Sequence, residues 1–99
     1  MSNTIYSNTY KLKKGASHDE FKSVAQKLWS EYVSKQKGYI SHKLLQDGDS
    51  WADATTFETL EDAKNFSQGD PGEFMALANA FYAFINMNSC VSRFFQEVL

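Results

Sequence analysis

Hydrophobic and polar positions along this chain repeat with two different periods, and each change of period marks a new structural element. A period of two predicts four strands, at 4–12, 39–45, 51–57 and 90–99. A period near 3.6 predicts a long amphipathic helix after Ser17, with an apolar stripe from Phe21 to Val33. Two shorter apolar stripes, after Thr59 and after Asp70, predict a second helix that is split in two.

Polar residues of the capping type stand where these helices begin. Ser17 and Glu20 have the spacing of a capping box, and Thr59 with Asp62 repeats it less strongly. Asp70 and Pro71 suit the N-cap and the first position of the last helix. We expect that helix to end before residues 86–89, which are polar apart from one methionine.

The residues between the second and third strands predict a hairpin, because they are polar and contain Gly48. A turn centred on Gly48 places Lys43 opposite Asp53, and predicts an ion pair between them. In this register His42 lies on the opposite face, with Ile40 and Leu44.

The predicted order is β-α-β-β-α-β, in one domain that spans residues 1–99. This order is typical of the α+β ferredoxin-like sandwich, a four-stranded antiparallel sheet with helices on one face. The other face would have no cover, yet aromatic residues make up 15% of the chain and apolar residues occur on both faces of the hairpin. We therefore expect a homodimer in which two sheets pack face to face.

Composition and charge exclude several classes of partner. The net charge is −2 with the two signs well mixed, so nucleic-acid binding is not expected. No apolar run is long enough to span a membrane and the N-terminus lacks a signal-peptide core, so we expect a cytoplasmic protein. The one cysteine, Cys90, excludes an internal disulfide, and its role stays open.

The segment from Gly38 to Ala63 resembles the antibiotic-biosynthesis-monooxygenase family. The resemblance rests on Trp51-x-Asp53 in the hairpin, followed by Phe57-Glu58-Thr59-Leu60-Glu61-Asp62-Ala63, and extends over nearly the whole chain. It implies a dimeric α+β barrel and cofactor-independent oxidation of small phenolic or conjugated molecules.

One branch of that family degrades haem, and its functional residues are only partly present here. Asn8 matches the asparagine of that branch, but Phe66 stands at the tryptophan position. Ala78, beside Asn79, stands at the position of the iron-binding histidine. Neither Ala78 nor Asn79 can bind iron, so haem degradation is not expected.

Three residues are candidates for catalysis: Asn8, His42 and Asp53. Asn8 is a polar residue in an otherwise aromatic row, and could bind a substrate carbonyl or activate oxygen through hydrogen bonds. His42 could be a general base, since its free pKa lies near neutrality, or a hydrogen-bonded residue of a core or interface. Asp53 could be an acid or base if it is desolvated, or could simply pair with Lys43.

Further residues are candidates for contact with a ligand. These are Tyr6, Tyr10, Trp51, Phe66, Phe81 and Arg93. Arg93 could instead pair with Glu97 or with an acid of a second subunit. If Asn8 faces the helices it would line a pocket, and if it faces away it would lie in the dimer interface.

The sequence contains no phosphate loop, dinucleotide fingerprint or metal-binding cluster, so we expect no metal and no cofactor. Two functions remain open. One is a monooxygenase-like enzyme that acts on a small aromatic or conjugated molecule. The other is a non-catalytic module that binds a small hydrophobic ligand or a partner.

Overall fold

The computed structural model describes residues 2–99 and consists of one antiparallel sheet with helices against one face. The elements in chain order are β1 (Thr4–Leu12), α1 (His18–Glu31), β2 (Tyr39–Asp47), β3 (Ser50–Phe57), α2 (Leu60–Gln68), α3 (Met75–Tyr82) and β4 (Ile85–Gln96). Short 3₁₀ turns at Val33–Lys35 and Gly72–Phe74 follow α1 and precede α3. The α+β ferredoxin-like arrangement predicted from the sequence is confirmed.

The strands lie in the order β2-β3-β1-β4, so β1 and β3 form the centre of the sheet. Alternate residues of these two strands are buried under the helices, among them Tyr10 on β1 and Trp51, Asp53 and Phe57 on β3. The opposite face has no helix on it. The core lies between the sheet and the apolar stripe of α1, where Phe21 and Val33 are almost completely buried.

The helix starts follow the predicted caps. The Ser17 hydroxyl accepts a hydrogen bond from the Glu20 amide at 3.2 Å, and the Thr59 hydroxyl accepts one from the Asp62 amide at 3.0 Å. These bonds satisfy backbone donors that have no partner in the first turn of a helix. The N-caps predicted at Ser17 and Thr59 are confirmed.

The hairpin register differs by one residue from the predicted one. Asp47 pairs with Ser50, which leaves a two-residue turn, and Gly48 takes a φ of +61° at its first position. A type II′ turn requires this conformation, and glycine adopts it without steric cost. As a result Lys43 lies opposite Ala54 and Leu44 lies opposite Asp53, so the predicted ion pair between Lys43 and Asp53 is wrong.

Because of the same one-residue shift, the prediction that His42 and Asp53 lie on opposite faces of the sheet is also wrong. His42 lies opposite Thr55, on the side of the sheet that carries the helices, and Lys43 lies on the uncovered side. A bulge between Tyr39 and Ser41 absorbs the extra residue, because Tyr39 still lies opposite Phe57.

The last part of the chain also differs from the prediction. The predicted helix after Asp70 is shorter in the structure: Asp70 accepts a hydrogen bond from the Gly72 amide at 2.8 Å, but regular α-helix begins only at Met75. The predicted last strand, at 90–99, begins at Ile85 instead. Its first residues pair with the end of β1 across a register shift, a pattern that a search for strict alternation misses.

Candidate functional site

A cavity of about 340 Å³ lies between the sheet and the helices. Its walls come from β1, β3 and β4 on one side and from all three helices on the other. Most of its lining is apolar or aromatic, including Tyr6, Trp29, Tyr32, Phe66, Phe81 and Tyr82. A volume of this size is at the lower end of the range for small-molecule sites.

Four polar side chains form a connected group on the sheet wall of this cavity. The Asn8 amide Nδ2 donates to Oδ1 of Asp53 at 3.0 Å, and the Tyr10 hydroxyl donates to Oδ2 at 2.9 Å. On the far side, the Ser92 hydroxyl donates to Oδ1 of Asn8. Both oxygens of the Asp53 carboxylate therefore accept a hydrogen bond, and the chain Ser92–Asn8–Asp53–Tyr10 crosses three strands.

Strand pairing explains why these residues meet. Asn8 lies directly opposite Asp53 in the β1–β3 ladder and directly opposite Ser92 in the β1–β4 ladder. Side chains that face each other across neighbouring strands have β-carbons about 5 Å apart, within reach of a direct hydrogen bond. Tyr10, two residues along β1, lies on the same face as Asn8.

Burial changes the acidity of Asp53. This side chain is only 4% exposed, and desolvation raises its pKa from 3.8 to about 6. The hydrogen bonds from Asn8 and Tyr10 act in the opposite direction, because they stabilise the charged form. Near neutral pH the carboxylate is therefore mostly ionised and is basic enough to accept a proton.

Tyr10 is not a comparable acid. Burial raises the pKa of its phenol far above the ordinary value, and the neighbouring Asp53 charge raises it further. Tyr10 therefore stays protonated and acts as a hydrogen-bond donor to Asp53.

The aromatic walls are held by contacts among themselves. Tyr6 stacks on Phe94 with ring centroids 5.0 Å apart and meets the edge of Phe66 at 6.1 Å. Trp29 packs against Phe81 at 5.3 Å, and its indole N–H donates to the Thr55 hydroxyl at 3.0 Å. These contacts fix the shape of the cavity on both sides of Asp53.

The structure brings together six of the nine residues predicted for the site. Asn8 and Asp53, with Tyr6, Tyr10, Phe66 and Phe81, all line the cavity. Their catalytic or binding roles stay predictions. The question of which way Asn8 faces is answered by the structure, because it lies on the helix side.

His42 lies outside this cavity, on a smaller side pocket of about 170 Å³ that also reaches Asp53 and Trp29. Its ring nitrogen Nδ1 is 2.6 Å from the Tyr39 hydroxyl, and partial burial lowers its pKa. The predicted catalytic role of His42 would have to act from this second pocket.

The structure also places Trp51 and Arg93 away from the cavity. Trp51 is buried in the core beside Phe21, with ring centroids 5.2 Å apart. Arg93 lies opposite Ser7 on the uncovered face of the sheet and is exposed.

Several lining residues are not among those predicted for the site, including Trp29, Tyr82 and Ser92. Trp29 and Tyr82 belong to helical apolar stripes, which look the same whether they face a filled core or a cavity. Ser92 gains its place only from the register between β1 and β4, which local sequence does not encode.

The fold and the cavity together define a small α+β sandwich with an aromatic-walled site above the central strands. No protein-family model matches the sequence, and neither does any curated protein. Solved structures do match. One is a point mutant of SnoaB, a cofactor-independent oxygenase from Streptomyces nogalater, at a TM-score of 0.78 and 20% identity over 100% of this chain and 96% of that one.

Two further matches extend this similarity. A proposed antibiotic biosynthesis monooxygenase from Bordetella bronchiseptica has a TM-score of 0.80 and 12% identity, and each chain is covered completely. Another, from Caulobacter crescentus CB15, has a TM-score of 0.75 and 16% identity over 99% of this chain and 92% of that one. The expected resemblance to antibiotic-biosynthesis-monooxygenase proteins is therefore confirmed at the level of the fold.

Among residues 2–99, none of the helices is long and apolar enough to cross a membrane. Within the same residues, no group of three or more His, Cys, Asp or Glu side chains is arranged to hold a metal ion.

Proposed function

We propose that this protein is a cofactor-independent oxygenase that acts on a small, electron-rich aromatic hydroxy compound bound in the cavity. The observation that carries the proposal is Asp53: a buried carboxylate with a pKa of about 6, held by Asn8 and Tyr10 on the wall of an aromatic cavity. The fold it shares with SnoaB, a cofactor-independent oxygenase, supports the same function.

In this proposal Asp53 is the general base. It removes the proton of the substrate hydroxyl, and the resulting electron-rich anion transfers one electron to O₂. The substrate radical and superoxide combine to form a C–O bond, and the peroxide anion takes the proton back from Asp53. The hydroperoxide then loses water to leave a carbonyl. The overall change replaces two hydrogens of the substrate by one oxygen, with O₂ as oxidant and water as the second product.

The other cavity residues have supporting roles. Asn8 and Tyr10 keep the Asp53 carboxylate oriented and ionised, because each donates a hydrogen bond to one of its oxygens. Ser92 fixes the Asn8 amide from the other side. The aromatic walls bind the planar ring of the substrate and exclude water from the reactive anion.

Oxygen uptake with a panel of dihydroxynaphthalenes and anthrones tests this function. We expect turnover by the wild type and a fall in kcat of about 10²- to 10⁴-fold for Asp53→Asn, the usual contribution of a general base. Asp47→Asn is the matched control, since it makes the same change at an exposed site on β2. Equal rates in Asp53→Asn and the control would refute the role of Asp53.

The pH profile provides a second readout. The rate should rise with pH and reach half of its maximum near pH 6, where Asp53 loses its proton. In Asn8→Ala this midpoint should move to higher pH, because the lost hydrogen bond favoured the charged form. A profile that does not move in Asn8→Ala would contradict the proposed coupling between the two residues.

A second candidate function is non-catalytic binding of a small hydrophobic ligand. One observation favours it: both oxygens of Asp53 already accept hydrogen bonds from the protein, as in a purely structural polar network. Saturable binding of aromatic ligands with no oxygen consumption from any member of the panel would support this candidate.

We also propose that the protein is a homodimer. The sheet face without helices exposes several large apolar side chains, with Leu45 51%, Val91 46% and Phe95 50% exposed. The centre of this face is flat, because it is formed by small side chains: Ala52 and Ala54 of β3 lie opposite Thr9 and Ser7 of β1. A flat apolar sheet face of this kind suits a second copy of the same face.

A further inference from the structure

The charge on the lining of the cavity is negative. Among residues 2–99, its lining includes the carboxylate of Asp53 and no lysine, arginine or histidine side chain. The nearest groups that stabilise this carboxylate are neutral, namely the Asn8 amide and the Tyr10 hydroxyl. The basic side chains near Asp53 line the side pocket instead and, among residues 2–99, form no ion pair with it; they are Lys22, His42 and Lys43. An ionised Asp53 therefore gives the cavity a negative charge that no positive side chain among the described lining residues balances.

The aromatic walls of the cavity also favour cations over anions. Tyr6, Trp29 and Phe81 present aromatic rings to the cavity, and the face of such a ring carries partial negative charge that attracts cations. The low polarity of the site also reduces dielectric screening, so like charges repel more strongly here than in water.

We propose that the cavity selects its ligand by charge: it accepts a neutral or cationic aromatic molecule that presents a hydroxyl or amine donor to Asp53, and excludes aromatic anions. The inference rests on the proposed function only in treating this cavity as the substrate site. It narrows the substrate class to compounds without a free carboxylate, sulfate or phosphate. A substrate built with a carboxylate must first lose or mask it, through decarboxylation or esterification.

Three ligands of the same ring size test the inference by calorimetry at pH 7.5. They are 2-naphthylmethylamine, which is cationic, 2-naphthalenemethanol, which is neutral, and 2-naphthoic acid, which is anionic. We expect the amine to bind at least as tightly as the alcohol, and the acid to bind at least about tenfold more weakly than the alcohol. An acid that binds as tightly as the alcohol would overturn the inference.

Two further measurements connect the selectivity to Asp53. Lowering the pH to 5 protonates most of Asp53, so the affinities of the acid and the amine should both move toward that of the alcohol. Asp53→Asn should produce the same convergence at pH 7.5. The wild-type measurement at two pH values stays decisive even if this variant is unstable, and an unchanged order of affinities at pH 5 would count against the inference.

Failure of this inference can be distinguished from failure of the proposed function. None of the three ligands is a phenol, so their binding requires no turnover. Charge selectivity without oxygen uptake from any phenol would support the inference and remove the oxygenase. Oxygen uptake that is as fast with phenols that carry a carboxylate as with phenols that lack one would overturn the inference and support the oxygenase.

Discussion

Asp53 is a buried acid, and its raised pKa makes the stability of the fold depend on pH. The folded protein retains the Asp53 proton up to about pH 6, whereas the unfolded chain releases it near pH 3.8. Between these values the folded state binds more protons, so the contribution of Asp53 to stability falls as the pH rises. Protons favour the folded state at this position, opposite to the behaviour of a carboxylate in a salt bridge.

Asp53→Asn should remove this dependence. As the pH rises from 4 to 7, the wild type should lose about 2 kcal/mol relative to the variant, because the pKa shift is about two units and the unfolded chain has already released part of this proton at pH 4. Urea unfolding of both proteins across this range measures the difference. Asp47→Asn, which makes the same change at an exposed site, is the control, and a flat difference for Asp53→Asn would contradict the buried charge.

For single residues, the sequence predicts which residues of one strand share a face of the sheet, but not which residues of other strands they contact. Asn8, Tyr6 and Tyr10 share one face of β1 by simple alternation, and the structure keeps them together. The sequence predicts Lys43 as a possible partner of Asp53, because it predicts a turn centred on Gly48, whereas the turn is centred between Gly48 and Asp49. The true partners, Asn8 and Tyr10, are about 45 positions away in the chain, and only the pairing of β1 with β3 brings them close.

At the scale of elements, the connection from α1 to β2 depends on a close approach at Gly38. This residue has a φ of +81°, and an added β-carbon would overlap the side chain of Asp62 in α2. Gly15 has nearly the same φ, +82°, but no atom lies within 4 Å of its added β-carbon. A substitution at Gly15 therefore introduces backbone strain alone, whereas a substitution at Gly38 introduces the same strain together with overlap with Asp62.

Gly38→Ala and Gly15→Ala form a matched pair for this feature. Gly15→Ala should cost about 1 kcal/mol of folding free energy, from the left-handed backbone alone. Gly38→Ala should cost about 3 kcal/mol, because the overlap with Asp62 adds to the same strain. Chemical denaturation of both variants gives the two values, and equal losses would show that α2 moves aside freely.

The starts of α1 and α2 were the most predictable, and the starts of the last helix and the last strand were the least. The caps at Ser17 and Thr59 are local, since each needs only a hydroxyl and an amide three residues later. The start of β4 at Ile85 depends instead on pairing with Leu12 at the end of β1, more than 70 residues away. Residues 86–89 look like a loop when this partner is not known.

For the whole molecule, the uncovered sheet face determines the expected assembly. Light scattering should give twice the chain mass of 11.3 kDa for the wild type. Ala54→Arg places a long charged side chain at the centre of that face and should yield a monomer. Ala80→Arg, on the exposed side of α3, is the control and should stay dimeric. A monomeric wild type would remove the proposed dimer.

The strand order has a consequence for the durability of the site. Asn8 and Asp53 lie opposite each other on the two central strands, whereas β2 is an edge strand. Edge strands open by local fluctuation, while the amides of a central pair exchange their hydrogens with solvent mainly when the whole domain unfolds. The hydrogen-bonded pair should therefore keep its geometry during fraying of β2, and the side pocket beside His42 should be the first part of the site to open.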